Sequence, residues 1–173
     1  IKLDSNTNNT IQIQKNVRFT DGGGYDTGNG LPKYQLIDST LTGGDSFGYS
    51  ISLSSDGTIL AVGANFHGVN DVSSVGRVAI YQYNGNDWVP LGNEILGHTS
   101  LSEHFGISVS LSSDGTILAI GASNTGYHSS GGTTHGSVEV YQYNGSDWEI
   151  LGSQLVGDIS DDEEFGTSVS LSS

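Results

Sequence analysis

The most constraining feature of this sequence is an internal repeat. Residues 47–64 (FGYSISLSSDGTILAVGA) return at 105–122 (FGISVSLSSDGTILAIGA) with fifteen of eighteen positions identical, and the pattern starts again at Phe165 (FGTSVSLSS). A second block repeats in step, with residues 76–92 (GRVAIYQYNGNDWVPLG) matched by 136–152 (GSVEVYQYNGSDWEILG). The repeating unit is therefore a whole supersecondary structure, and stacking of such units is expected to bury a shared core.

Each unit is predicted to contain four antiparallel strands, A to D. In the first unit, strand A spans residues 49–54 and alternates Ser with apolar residues, whereas strand B spans 58–64 as a continuous apolar run. Strand C spans 77–83 and strand D spans 87–96. Pro90 in strand D lacks an amide hydrogen, which predicts that D is an edge strand.

Two short turns connect these strands. Asp56-Gly57 lies between A and B and predicts a hairpin with a type I′ turn, in which both central residues have positive φ. Asn84-Gly85 lies between C and D and predicts a second hairpin. The second unit carries the same signals at Asp114-Gly115 and Asn144-Gly145.

The predicted fold class is all-β, since no segment shows helical periodicity. Four-stranded antiparallel meanders stack as the blades of a β-propeller, typically about four to eight blades. A β-solenoid is the weaker alternative, because its coils are short and parallel, whereas these hairpins demand antiparallel pairs. The predicted divisions are an N-terminal region (1–30), the end of a preceding blade (31–46), two full blades (47–104 and 105–164) and the start of the next blade (165–173).

The N-terminal region lies outside the repeat. Ile11 and Ile13, followed by Val17 and Phe19, alternate with polar residues and predict one or two half-buried strands, before a glycine-rich loop at 21–30. Residues 34–41 (YQLIDSTL) resemble strand D, with Leu36 matching Leu91 and Leu41 matching Leu96, and predict the last strand of an incomplete unit.

The motif FG, then xSVSLS, DG and LAxGA resembles the FG-GAP repeat of integrin α-subunit propellers. It is more similar still to FG-GAP-like repeats in surface proteins of marine bacteria, algae and large algal viruses, which also carry the GxVxVYQYxGxxWxxLG segment. The resemblance covers about residues 34–173. Integrin-type repeats often carry a DxDxDG calcium loop before the second strand, but only Asp56 and Asp114 remain of it here, so a calcium role does not carry over to these turns.

Composition limits the classes of molecule that this chain is expected to bind. The net charge is −14 with only five Lys and Arg, which disfavours nucleic acid and anionic membrane surfaces. There is no cysteine for disulfides, and no apolar run approaches membrane-spanning length. Because Met is absent even at position 1, we expect a processed product or a piece of a longer protein.

Because successive strands of an antiparallel meander run in opposite directions, the B–C and D–A loops lie on one face of the blades. This face holds every histidine and forms the candidate ligand face; its histidines are His67, His98, His104, His128 and His135. It also holds eight acidic residues: Asp45, Asp71, Glu103, Asp158, Asp161, Asp162, Glu163 and Glu164. The run at Asp158, Asp161, Asp162 and Glu163 is a candidate Ca²⁺ site, although it lacks fixed ligand spacing, and a solvated acidic loop is the alternative.

Two sequons predict N-glycosylation sites, at Asn8 and at Asn144 on a hairpin tip. The recurring aromatic residues could stack on sugars, but their fixed positions in each unit favour packing between blades; these residues are Tyr81, Tyr83, Trp88, Tyr141, Tyr143 and Trp148. No nucleophile motif stands out, so the chain is not predicted to be an enzyme.

The sequence thus predicts a non-catalytic structural or adhesive module of an extracellular or virion-surface protein. Its expected partners are protein or glycan at a cell, matrix or virion surface, and it is expected to self-associate or to continue into further blades of the same parent chain. A cation-dependent carbohydrate-binding module is the first alternative. A propeller-type hydrolase with two loop carboxylates is the second.

Overall fold

The computed structural model describes residues 2–6, 10–16, 34–98, 103–123, 135–158 and 164–172. These residues form β-strands and no helix, which confirms the all-β prediction, and they accordingly contain no helix able to span a bilayer. The strands are β1 (Lys2–Asn6), β2 (Thr10–Asn16), β3 (Tyr34–Thr42), β4 (Ser50–Leu53), β5 (Ile59–Ala64), β6 (Arg77–Tyr83), β7 (Trp88–Pro90), β8 (Ile95–Leu96), β9 (Ser108–Leu111), β10 (Ile117–Ala122), β11 (Ser137–Tyr143), β12 (Trp148–Ile150) and β13 (Leu155–Val156).

The strands form three antiparallel sheets. The N-terminal sheet has the order β1-β2-β3. The middle sheet follows β4-β5-β6-β7, with β8 also paired to β6, and the C-terminal sheet repeats this path as β9-β10-β11-β12 with β13 paired to β11. The predicted strands A to D are therefore confirmed, except that strand D is divided into two short pieces around residues 91–94.

The edge position of strand D is confirmed. Within the described residues β7 pairs only with β6, and Pro90 lies opposite Tyr81 at this edge. Strands are present as β2 and β3 where N-terminal strands were predicted, whereas β1 was not predicted. Val17, Phe19 and the glycine-rich loop at 21–30 lie outside the described residues.

The predicted turn type is wrong, although the hairpins form. Gly57 has φ of +71° but Asp56 is not among the residues with positive φ, so the turn is not type I′. Instead the Gly57 amide donates to the Ser54 carbonyl at 2.9 Å, and Asp56 Oδ1 accepts from Ser54 Oγ at 2.7 Å and from the Thr58 amide at 3.0 Å. The loop is therefore longer than a two-residue type I′ turn. It is stabilised because the Asp56 carboxylate accepts hydrogen bonds from the Ser54 and Thr58 donors.

The core lies on both faces of the middle sheet. One cluster combines Leu60, Val62 and Trp88 with Phe47, and Leu41 at the end of β3 packs against it. The other cluster joins Ile80, Leu91 and Ile95 of the middle sheet to the C-terminal sheet through Leu118, Ile120 and Trp148. The middle sheet is therefore covered on both sides, as the apolar run of β5 predicts.

Polar contacts fix how the C-terminal sheet sits on the middle sheet. Trp148 Nε1 donates to the Leu91 carbonyl at 2.9 Å. The Asp147 carboxylate accepts from the Asn93 amide at 2.9 Å and from Asn93 Nδ2 at 2.6 Å. At the first strands of the two sheets, Ser50 Oγ at the start of β4 donates to the Gly106 carbonyl just before β9 at 2.7 Å.

Residues 164–172 continue this arrangement on the C-terminal sheet. Ser108 Oγ donates to the Gly166 carbonyl at 2.7 Å, and the Leu171 amide donates to Ser110 Oγ at 3.0 Å. The matching contact one repeat earlier is the Leu111 amide to Ser52 Oγ at 2.9 Å. The predicted third A segment thus lies where expected, although no strand pairs with it in the described part of the chain.

Candidate functional site

The strand register gathers the long loops at one edge of the sheets. Ala64 lies opposite Arg77, and Arg77 lies opposite Leu96, so the residues that follow β5 and β8 emerge together. The C-terminal sheet repeats this register. We call the edge formed by residues 43–49, 65–76, 97–98, 103–107, 135–136 and 157–158 the loop edge. It contains four of the five predicted histidines, His67, His98, His104 and His135, whereas His128 lies outside the described residues.

Close contacts hold the loop edge in shape. His67 Nδ1 lies 3.0 Å from Asp45 Oδ2. The Phe66 and His104 rings meet edge-on with centroids 5.3 Å apart, and the His104 amide donates to the Ser74 carbonyl at 2.9 Å. All non-glycine residues with positive φ in the described chain lie here, a conformation that persists only where the surroundings enforce it; they are Asp45, Ser46, Asn70, Asp71, Ser74 and His104.

Glu103 is a buried carboxylate at this edge, with 2% of its side chain exposed. Its Oε2 accepts from the His98 amide and lies 3.0 Å from His98 Nδ1. The hydrogen bond to Glu103 raises the pKa of His98, although partial burial of the ring opposes the shift. The protonated imidazole and the carboxylate therefore form an ion pair that ties β8 to the loop before β9.

A second buried carboxylate, Glu139, was not predicted. Its oxygens accept from the Tyr141 hydroxyl and from Gln154 Nε2 at 3.0 Å. Burial and the hydrogen bond to Glu139 raise the pKa of Tyr141. The matching position in the first repeat is Ala79, so a charged residue at an otherwise apolar position was the signal in the sequence.

The two carboxylates belong to one region. The charge of Glu139 contributes to the raised pKa of His98, and the charge of Glu103 contributes to that of Tyr141. Both carboxylates are buried and accept hydrogen bonds from the protein. This arrangement suits an internal polar contact between sheets, because such groups are costly to bury unless they are paired.

The opposite edge carries the short turns. Hydrogen bonds from Ser54, with further ones from Thr58, lower the pKa of Asp56, and the equivalent Ser112 and Thr116 lower that of Asp114. In both turns protein donors occupy Oδ1 of the single carboxylate, whereas a calcium loop directs several oxygens at the ion. Calcium ligation therefore does not fit these turns.

The predicted glycosylation and metal sites lie only partly within the described residues. Asn144 is exposed on its hairpin, where Nδ2 donates to Glu149 Oε1 at 2.7 Å; Asn8 lies outside the described residues. Asp158 is exposed, and the other acidic metal candidates, Asp161, Asp162 and Glu163, lie outside them too. Among the residues that are described, no three His, Asp or Glu side chains are grouped to hold a metal ion.

The recurring aromatic residues pack inside the structure. Trp88 and Trp148 are 5% and 7% exposed, and each contacts the tyrosine at the end of the preceding strand with ring centroids 5.4 Å apart. Tyr141, Tyr143 and Trp148 belong to the cluster shared with the middle sheet. Both tryptophans are therefore buried at equivalent positions, which favours packing, as predicted, over sugar stacking for these residues.

We expect the His98–Glu103 pair to make stability depend on pH. Because the pKa of His98 is raised in the folded chain, its contribution is complete below the ordinary histidine pKa of about 6.5 and is lost as pH rises through the folded value. Urea unfolding at pH 5 and pH 8 should show this loss, and His98→Gln should remove it. An NMR titration of His98 with a pKa at or below the ordinary value would contradict the assignment.

The other loop-edge histidine with a shifted pKa has the opposite sign. Burial lowers the pKa of His104, so its contribution is present at high pH and is lost as pH falls through the folded value. Titration of individual histidines is therefore needed to separate the two effects.

Comparison of the sequence with family models and with curated proteins assigns no family to this chain. No family model matches the sequence. The curated proteins likewise include no sequence that matches it significantly. The repeat, the sheets and the loop edge are therefore the features that bear on its function.

Proposed function

We propose that this chain is part of an FG-GAP-like repeat protein in which each sheet is one propeller blade. Its role is that of a non-catalytic structural or adhesive module of an extracellular or virion-surface protein. The observation that carries the proposal is that the same contact joins the first strand of each full sheet to the segment that begins the next repeat. Ser50 Oγ to the Gly106 carbonyl is repeated by Ser108 Oγ to the Gly166 carbonyl.

The direction of the contacting strands supports the blade interpretation. Strand β4 packs beside β9, and because Ser50 contacts Gly106 while Ser52 contacts Leu111, the two strands run in the same direction. The innermost strands of neighbouring blades in a propeller likewise run side by side around the axis. The large apolar residues at this contact, among them Leu91 and Trp148, pack the C-terminal sheet against the middle sheet.

The polar groups also favour a structural role over catalysis. The buried carboxylates Glu103 and Glu139 have protein partners, and the Asp147 carboxylate is used to hold Asn93. A general acid or base must instead reach a substrate. The acidic surface suits partners at a cell, matrix or virion surface rather than nucleic acid.

The blade interpretation can be tested with chains lengthened by one to five further copies of residues 105–164. A propeller is expected to become markedly more stable at the one copy number that closes the ring. An open stack would gain stability smoothly with every added copy, as linear repeat arrays do. A smooth increase in the free energy of unfolding across the series would contradict the proposal.

A cation-dependent carbohydrate-binding module is a second candidate, favoured by one feature of the loop edge. Phe66 is 48% exposed beside His104, which offers an aromatic surface next to histidine and acidic side chains. A glycan array probed in calcium and in EDTA tests this function. Calcium-dependent binding that is lost in Phe66→Ala would favour it over a purely structural role, and no binding in either buffer would reject it.

A further inference from the structure

Residues 164–172 form a strand position without a neighbour. They are held on the C-terminal sheet by Ser108 and Ser110, as residues 106–111 are held on the middle sheet by Ser50 and Ser52. Residues 108–111 also pair with β10 as the first strand of a sheet. In the described chain residues 164–172 have no such partner, so their outer backbone groups are open to strand pairing.

The apolar surface next to this segment is uncovered. Leu91 and Ile95 of the middle sheet are 8% and 9% exposed because the C-terminal sheet lies over them. Their counterparts Leu151 and Leu155 are 47% and 54% exposed. The existing contact between the two sheets therefore shows what would cover this surface: a further sheet whose first strand is 164–172.

The N-terminal sheet offers the complementary set of strands. It contains three antiparallel strands, and among the described residues only β2 pairs with β1, along one of its two edges. Its last strand, β3, has the sequence pattern of strand D. The N-terminal sheet thus has the strands that 164–172 lack, and it lacks the first strand that 164–172 could supply.

We propose that residues 164–172 of one copy pair antiparallel with β1 of a second copy, so that the two chains together complete a four-stranded sheet over Leu151 and Leu155. The inference rests on the proposed stacking of repeat sheets as blades and adds the partner and the strands that meet. Because the two contacting surfaces differ, the association is head-to-tail and builds rings or open chains.

The register follows from the sheets themselves. In the middle sheet the Leu91 amide donates to the Ile80 carbonyl, Ile80 lies opposite Ala61, and Ala61 lies opposite Ser52. The position of Ser52 is occupied by Ser110 in the second repeat and by Ser170 in residues 164–172.

The N-terminal sheet contains a corresponding series of facing residues. Leu36, which matches Leu91, lies opposite Gln14, and Gln14 lies opposite Lys2. Lys2 therefore occupies the position of Ala61, and Ser170 of one copy is expected opposite Lys2 of the next. The adjacent pair is Val169 with Leu3.

Electrostatics make the association depend on salt. Each copy carries a net charge of −14, so two copies repel one another at low ionic strength. Added salt screens this repulsion beyond about 10 Å at 0.1 M. Association of the chain should strengthen as NaCl is raised from 0.01 to 0.15 M.

The absence of native cysteine makes a cross-linking test direct. The chain carrying both Ser170→Cys and Lys2→Cys should form a disulfide-linked ladder of dimers and higher multiples on mild oxidation. Paired residues in an antiparallel sheet have Cα atoms about 4.5–5.5 Å apart, within disulfide range. The matched control is Ser168→Cys with Lys2→Cys, displaced by about 7 Å along the strand, which should link at least fivefold less.

Two outcomes would overturn the inference: a cross-linked chain of monomer mass only, or equal ladders from the matched and displaced pairs. Adding Leu155→Asp to the matched pair should abolish the ladder without unfolding the chain, since this side chain is exposed. If no ladder forms while the lengthened-chain series still shows closure, only the pairing between copies is wrong. If that series rises smoothly, the blade proposal itself fails.

Discussion

Replacing Trp148 with alanine is expected to lower the free energy of unfolding by about 3–5 kcal/mol, the usual cost of truncating a buried large aromatic residue. The side chain is 7% exposed and belongs to the cluster that joins the middle and C-terminal sheets. Its indole also donates to the Leu91 carbonyl. Chemical denaturation of the wild type and the variant measures the difference, and an unchanged midpoint would contradict the packing described above.

Phenylalanine variants of both tryptophans isolate the hydrogen bond. Trp148→Phe leaves the Leu91 carbonyl without its indole donor, whereas the Trp88 indole has no acceptor among the described residues. Both variants lose similar apolar volume, and both tryptophans contact a tyrosine with the same geometry. Trp148→Phe should therefore cost about 1 kcal/mol more than Trp88→Phe. Equal losses would indicate that the inter-sheet hydrogen bond contributes nothing.

The second large effect is expected for Gly63→Ala, which should destabilise the chain by about 2–3 kcal/mol, toward the upper end for overpacking. A Cβ at this position would overlap the Gly106 carbonyl oxygen and Ser50 Oγ. The Gly106 carbonyl is backbone and cannot rotate away, so the C-terminal sheet would have to move off the middle sheet.

Gly44→Ala is the matched control for this prediction. A Cβ at Gly44 meets no atom within 4 Å, so the change should stay within about 0.5 kcal/mol of the wild type. Thermal unfolding of the two variants beside the wild type is sufficient to compare them. If Gly63→Ala is tolerated as well as Gly44→Ala, residues 105–107 do not lie against β5 in solution.

Much of the fold was predictable because the repeat fixes equivalent positions. The strands of the middle and C-terminal sheets follow from alternating or continuous apolar residues bounded by Gly-containing pairs, and Pro90 identifies the edge. Burial of Trp88 and Trp148 follows from their matched positions. These features depend on local pattern, which the sequence displays directly.

Other features depend on contacts that local pattern does not reveal. The turn at Asp56 was assigned the wrong type because Ser54 and Thr58 donate to its carboxylate, a side-chain effect that the Asp-Gly pair alone does not indicate. The division of strand D was also missed; it occurs in both repeats next to a glycine with positive φ, Gly92 at +77° and Gly152 at +84°. The first error comes from side-chain hydrogen bonds that compete with regular structure, and the second from a backbone conformation that an extended strand does not contain.

The candidate site was only partly predictable. Strand parity alone brings His67, His98, His104 and His135 to one edge, and the structure places them there. The pairing of His98 with Glu103 could not be chosen in advance, because several acidic residues share the same loops. Glu139 was overlooked because it lies within a strand, where only comparison with Ala79 reveals an unusual residue.

The central claim is that successive repeats stack through contacts between their first strands, and hydrogen exchange at Leu111 tests it most directly. The Leu111 amide points away from β10 and donates to Ser52 Oγ of the preceding repeat, whereas the neighbouring Ser112 amide donates to Ile117 within its own sheet. We predict that both amides are protected, and that Ser52→Ala accelerates exchange at Leu111 about tenfold while leaving Ser112 unchanged. Unprotected exchange at Leu111 in the wild type, with Ser112 protected, would contradict the stacked arrangement.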